Sequence, residues 1–158
     1  CDAFSIPVLS ITNVNGFKNC MCSEKKLAKA LARMTYAFSN ATCAKVNMIT
    51  GEAYGSAYVF MNSKSIGADL VYAWNDAKIG TMDSTMAAKI MYPDADAAEI
   101  KEKASEYEKL QSSATSAAAR GYVDRIIEPA DSRKYLVAAF EMLYTKYVGE
   151  PEKKHGTK

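Results

Sequence analysis

Two short segments have the residue types for electrostatic catalysis. One is Asn15-Gly16-Phe17 and the other is Gly55-Ser56-Ala57. Each follows a run of apolar, β-branched residues and contains glycine, the pattern of a turn leaving a strand. Backbone N–H groups in such a turn, or in the first turn of a helix, are not consumed by regular structure. Two of them aimed at one oxygen stabilise negative charge that develops there during a reaction. Glycine at a strand end also has a plain structural reading, since it adopts backbone angles that other residues avoid. Spacing alone leaves both readings open.

Other chemistries are excluded by inspection. A nucleophilic serine elbow needs glycine two residues to each side of the serine, and Ser56 has Tyr54 and Tyr58 there. A phosphate-cradling G-x-G-x-x-G run is absent. Cys20 and Cys22 form C-x-C, but no second ligand pair accompanies them, and His155, the single histidine, stands in a lysine-rich tail with Lys153 and Lys154. The expectation is therefore no metal, and free thiols of a cytoplasmic protein. A net charge of +2, with basic residues scattered, gives no footprint for nucleic acid. No apolar run reaches the roughly 18 residues of a membrane span.

The elements that must position the two turns alternate between strand and helix. Strands are expected over residues 6–14, 45–50, 69–74, 78–81 and 122–127. Helices are expected over 23–38, 57–63, 84–91, 94–110, 115–120 and 132–147. Ser23 and Asp83 are the expected caps, and Gly51 is expected to end the second strand. Leu27, Leu31, Met34 and Phe38 recur at helical spacing and predict a helix facing the core. Met82, Met86 and Met91 read as packing residues, and Tyr72 and Trp74 as core or rim aromatics. The order argues a single α/β domain of repeated ββα-like units over residues 1–158. If the first two strands are neighbours, both glycine turns lie at one edge of the sheet.

Lys45-Val46-Asn47-Met48-Ile49-Thr50-Gly51 with Tyr54-Gly55-Ser56-Ala57 resembles the central strand and anion-binding turn of the crotonase superfamily. Asp69-Leu70-Val71-Tyr72-Ala73, Ala77-Lys78-Ile79-Gly80 and Ala119-Arg120-Gly121-Tyr122-Val123-Asp124 resemble its later strands and a helix-to-strand junction, in the right order. Within the superfamily, Asp2-Ala3-Phe4-Ser5-Ile6-Pro7-Val8, Gly16-Phe17, Ala53-Tyr54-Gly55-Ser56-Ala57-Tyr58 and Val71-Tyr72-Ala73-Trp74 are similar to the C-terminal half of biotin-dependent acyl-CoA carboxyltransferases. The likeness covers nearly the whole chain except about residues 93–111. It departs at Asn15 and Asn75, where the family usually has Pro, and at Ser56, where it usually has Gly.

The resemblance implies a crotonase-like fold and a piece of a longer two-domain subunit. It implies carboxyl transfer between biotin on a carrier protein and an acyl-CoA of the acetyl, propionyl/methylmalonyl or glutaconyl type. The Ser56 and Ala57 N–H groups would be the donors to the biotin ureido oxygen. Gly16, Phe17, Gly55 and Tyr58 would bind the cofactor, and Val59 would line the acyl pocket. The implied partners are a biotin carboxyl carrier protein, an N-terminal carboxyltransferase domain, the acyl-CoA and further copies of the subunit. Two alternatives stand beside it. One is a non-catalytic binding and assembly module. The other is an enoyl-CoA hydratase or isomerase, whose two glutamates would fall at Val59 and Asp83. Valine does no acid–base work, and Asp83 reads as a helix cap.

Overall fold

The computed structural model describes residues 1–149 of the chain. Lys153, Lys154 and His155 of the tail lie outside them. Five strands form one sheet in which every strand pairing is parallel. The strands are β1 (Val8–Val14), β2 (Lys45–Tyr54), β3 (Leu70–Trp74), β4 (Lys78–Gly80) and β5 (Arg125–Ile127). Their order is β1-β2-β3-β5, with β4 paired to the far end of β2. The helices are α1 (Met21–Asn40), α2 (Gly55–Phe60), α3 (Ser84–Met91), α4 (Ala97–Tyr107), α5 (Ala114–Ala119) and α6 (Ser132–Met142). A π-turn, Glu108–Ser112, follows α4 directly.

β2 is the spine because its residues suit burial on both faces. Alternate side chains enter two cores. Ile49 and Ala53 join Tyr58, Val71, Ile79 and Ala117 on one side. Val46 and Met48 join Tyr72, Ile127 and Ala139, under α6, on the other. Asn47, a polar residue of this strand, is wholly buried and accepts a hydrogen bond from Thr12 Oγ1 at 2.7 Å.

Several boundaries differ from expectation. β2 does not stop at Gly51 but runs on to Tyr54. The register between β1 and β2 shifts at this point, from Thr12↔Ile49 to Val14↔Ala53. Asn13 Oδ1 fills the irregularity and accepts the Glu52 N–H at 3.0 Å. A methyl group on Gly51 would sit 2.8 Å from that oxygen, so glycine here permits close approach rather than ending the strand. α1 starts after Cys20, not Ser23, whose hydroxyl lies 3.1 Å from the Cys20 thiol. None of the α1 residues is buried. The stripe Leu27, Leu31, Met34 and Phe38 is only half-covered, so the expectation of a core-facing helix fails within this chain. Met86 and Met91 are likewise exposed rather than packed. α6 ends at Met142, five residues early. Lys146, just beyond it, donates instead to Asp69 Oδ2 at 2.9 Å and to the Cys43 carbonyl at 3.0 Å.

Among the described residues, no group of three or more His, Cys, Asp or Glu could hold a metal ion, and no helix is long and apolar enough to cross a membrane.

Candidate functional site

The site is built where β2 becomes α2 with no intervening loop. Gly55 makes the bend with φ +62°, a value L-residues avoid. A Cβ there would also stand 3.1 Å from the Thr81 carbonyl oxygen. The positive φ falls on Gly55 and not on Ser56. Serine in place of the family's usual glycine therefore needs no strained backbone. Ser56 and Ala57 are the second and third residues of α2. Their N–H groups precede the first intrahelical acceptor, and among the described residues neither meets another. The Ser56 side chain is exposed, whereas Ala57 is buried against the core.

A cleft of about 440 Å³ opens beside this turn. Gly55, Ser56, Tyr58 and Val59 form its α2 wall, with Ile79, Gly80 and Thr81 below. Tyr107, Gln111, Ala117, Arg120 and Tyr122 form the facing wall. Arg120 is the sole charged residue of the lining, and no Asp or Glu contributes. Its guanidinium is tethered to Gln111, through Nη1 to the backbone carbonyl at 3.5 Å and through Nη2 to Oε1. Tyr58 is 7% exposed, and its hydroxyl has no hydrogen-bond partner among the described residues. Burial, reinforced by the Tyr122 phenol, pushes its pKa up to about 12. Tyr58 therefore stays a neutral O–H donor at any physiological pH.

The two glycine turns do share one end of the sheet, because Val14 pairs with Ala53. Gly16 and Phe17, however, do not line the cleft. Phe17 tilts against Phe60 at the far end of α2, ring centroids 6.5 Å apart, and Gly16 takes φ +143° with nothing within 4 Å of where a Cβ would stand. The wall facing α2 is supplied by Tyr107, Gln111, Arg120 and Tyr122 instead. Arg120-Gly121-Tyr122 was visible as a junction motif but carried no signal of a site. Tyr107 and Gln111 come from the stretch that the resemblance does not cover. Asp83 caps α3, accepting the Thr85 and Met86 N–H groups at 2.9 and 3.2 Å, and lies outside the lining. Asn75, at the third departure, donates to both Glu128 carboxylate oxygens, at 3.0 and 3.2 Å.

Comparison with known proteins bears on the family and the fold. The chain is 45% identical to a putative propionyl-CoA carboxylase beta chain of Bacillus subtilis, over 99% of its own length and 32% of that protein. It is 45% identical, over the same shares, to the methylmalonyl-CoA decarboxylase subunit alpha of Propionigenium modestum. It superposes on transcarboxylase 12S, a hexamer crystallised with methylmalonyl-coenzyme A and methylmalonic acid bound, with a TM-score of 0.92 at 39% identity, over 99% of this chain and 31% of that one. The beta subunit of Pseudomonas aeruginosa geranyl-CoA carboxylase, at 21% identity and TM-score 0.77, shares the fold. The fold is thus the crotonase-like α/β fold of these enzymes. The chain spans about a third of the length of the relatives it matches. The carboxyl transferase domain family model matches residues 1–157, and the chain belongs to that family.

Proposed function

We propose that the chain is the C-terminal, biotin-side domain of a two-domain carboxyltransferase subunit. That subunit moves a carboxyl group between biotin on a carrier protein and an acyl-CoA of the propionyl/methylmalonyl type. The observation that carries the proposal is the start of α2: the unpaired N–H groups of Ser56, which lines the cleft, and of the next residue, Ala57, which does not, beside a lining with no carboxylate. Such a site suits charge stabilisation and not carboxylate acid–base chemistry. The acyl type follows the names of the relatives.

Biotin fits the residues present. Gly55 leaves open the space that a Cβ would take in front of Thr81. When bound, biotin carries the carboxyl group on its ureido ring, whose oxygen gains negative charge as that group departs. The Ser56 and Ala57 N–H groups face this charge already oriented, so no reorganisation accompanies it. The partial positive charge at the start of α2 acts in the same sense. Val59, Ile79 and Ala117 keep the cleft walls apolar and limit water. Phe17, packed on Phe60 outside the cleft lining, is left for contact with the carrier.

A carrier protein, an N-terminal carboxyltransferase domain and further copies of the subunit are the proposed partners. The half-bare stripe of α1 supports a covering surface from outside this chain. It also supports the second reading, in which the isolated chain assembles but does not catalyse. The test supplies the complete two-domain subunit with labelled methylmalonyl-CoA and free biotin. Label arriving on biotin is expected. No label on biotin, with hydration of an enoyl-CoA offered separately, contradicts the proposal.

A further inference from the structure

We propose that the cleft has a second polar pole, separate from the start of α2, in which the Tyr58 hydroxyl and the Arg120 guanidinium hold the carboxylate of the group in transit. The inference rests on the carboxyl-transfer reading above and names what the rest of that site binds.

Three observations converge on it. First, Tyr58 places a hydroxyl in the wall of the cleft, nine-tenths buried and unpartnered. Buried polar groups are nearly always hydrogen-bonded, so an orphan in a cavity wall points to a ligand acceptor. Second, Arg120 is the one charged group of the lining, and among the described residues no carboxylate pairs with it. Gln111 occupies part of its donor set and fixes the guanidinium at the rim. Arginine has five N–H donors in a planar fork, which leaves some for an incoming anion. Third, the π-turn that presents Gln111 is a helix distortion of the kind found at functional sites.

The chemistry of the ligand follows from the donors. A permanent cation only donates, and a phenol that stays protonated always has an O–H to give, so together they suit oxygens that accept. The α2 N–H groups serve a single oxygen of a neutral ring. The second pole serves a carboxylate with two oxygens. Dividing the work in this way lets the site hold the carboxyl group while the ring oxygen gathers charge a short distance away. Tyr58 and Arg120 are therefore binding and positioning residues that discriminate a carboxylated ligand from its uncarboxylated product.

The test uses the complete subunit with two probes, methylmalonate and the neutral amide of biotin, titrated calorimetrically. Tyr58→Phe and Arg120→Met should each weaken methylmalonate about tenfold, and Arg120→Lys should recover most of the loss. The affinity for biotin amide should stay within about twofold in all three. Melting temperature separates this from a structural role. Tyr58→Phe removes a buried hydroxyl with no partner, so the variant should melt at the same temperature or higher, whereas a structural hydroxyl would lower it. Methylmalonate binding unchanged in Tyr58→Phe and Arg120→Met, with carboxyl transfer to biotin intact, overturns the second pole and spares the proposed function. A wild-type subunit that binds neither probe and transfers no carboxyl group overturns both.

Discussion

Gly55→Ala puts one methyl group into the turn that aims the proposed donors. Two costs add. Holding an L-residue near φ +62° costs about 1–2 kcal/mol. The new Cβ would also stand 3.1 Å from the Thr81 carbonyl oxygen, which belongs to the backbone after β4 and cannot swing aside. Relieving that contact adds of order 1 kcal/mol. The sum is about 2–3 kcal/mol. With a urea slope of about 2 kcal/mol/M for a chain of this size, the unfolding midpoint should fall by about 1–1.5 M. Gly121→Ala is the internal control. Its φ is +81°, but nothing lies within 4 Å of the added methyl, so it carries the backbone cost alone and should lose about half as much. Carboxyl transfer should drop at least tenfold in Gly55→Ala, because relaxation of the clash turns the Ser56 and Ala57 N–H groups off target. Equal midpoints for the two variants would refute the claim that Thr81 braces the turn.

Asp83→Ala should cost about 1 kcal/mol by uncapping α3 and leave the rate of carboxyl transfer within about twofold. A large loss of rate at unchanged stability would return Asp83 to the acid–base role of a hydratase. The Asp2 carboxylate accepts the Cys43 and Thr42 N–H groups at 2.9 and 2.8 Å, and the Cys43 bond foremost draws its pKa below 3.8. A depressed carboxylate contributes stability above its unfolded pKa and loses it as pH falls through the lower folded value. The amide signals of Thr42 and Cys43 should therefore titrate together below pH 3.8 in an NMR series. A midpoint at or above that value contradicts the docking of the N-terminal turn.

Local chemistry explains what the sequence revealed. The Asp83 cap and the β-branched run of β2 are signals carried by neighbouring residues, and each stands where those signals put it. The Gly55 turn was legible for the same reason, although only resemblance gave it a role. Features set by distant contacts were not legible. Gly51 reads as a strand end until Asn13, from the neighbouring strand, fills the bulge beside it. The helical spacing after Ser132 continues to Tyr147, yet Lys146 is captured by Asp69, 77 residues away. α1 has a regular apolar stripe, but periodicity cannot say whose surface covers it. The facing wall of the cleft depends on a π-turn, which has no composition signature, bringing Tyr107 and Gln111 opposite a helix some fifty residues earlier in the chain.

The central claim is that backbone N–H groups at the start of α2 stabilise the developing charge. Proline is a poor probe at Ala57, since that residue is the third of the helix and 3% exposed, and a ring there would also disfavour the helical conformation of Ser56. Lactic acid in place of Ala57, introduced into the complete subunit, replaces the N–H with an ester oxygen and leaves the methyl group unchanged. No intrahelical hydrogen bond of that N–H is lost, so the urea midpoint should move little. Single-turnover transfer of the carboxyl group to biotin should slow by about a hundredfold or more. A rate within about threefold of the unmodified subunit, in a folded protein, contradicts the account.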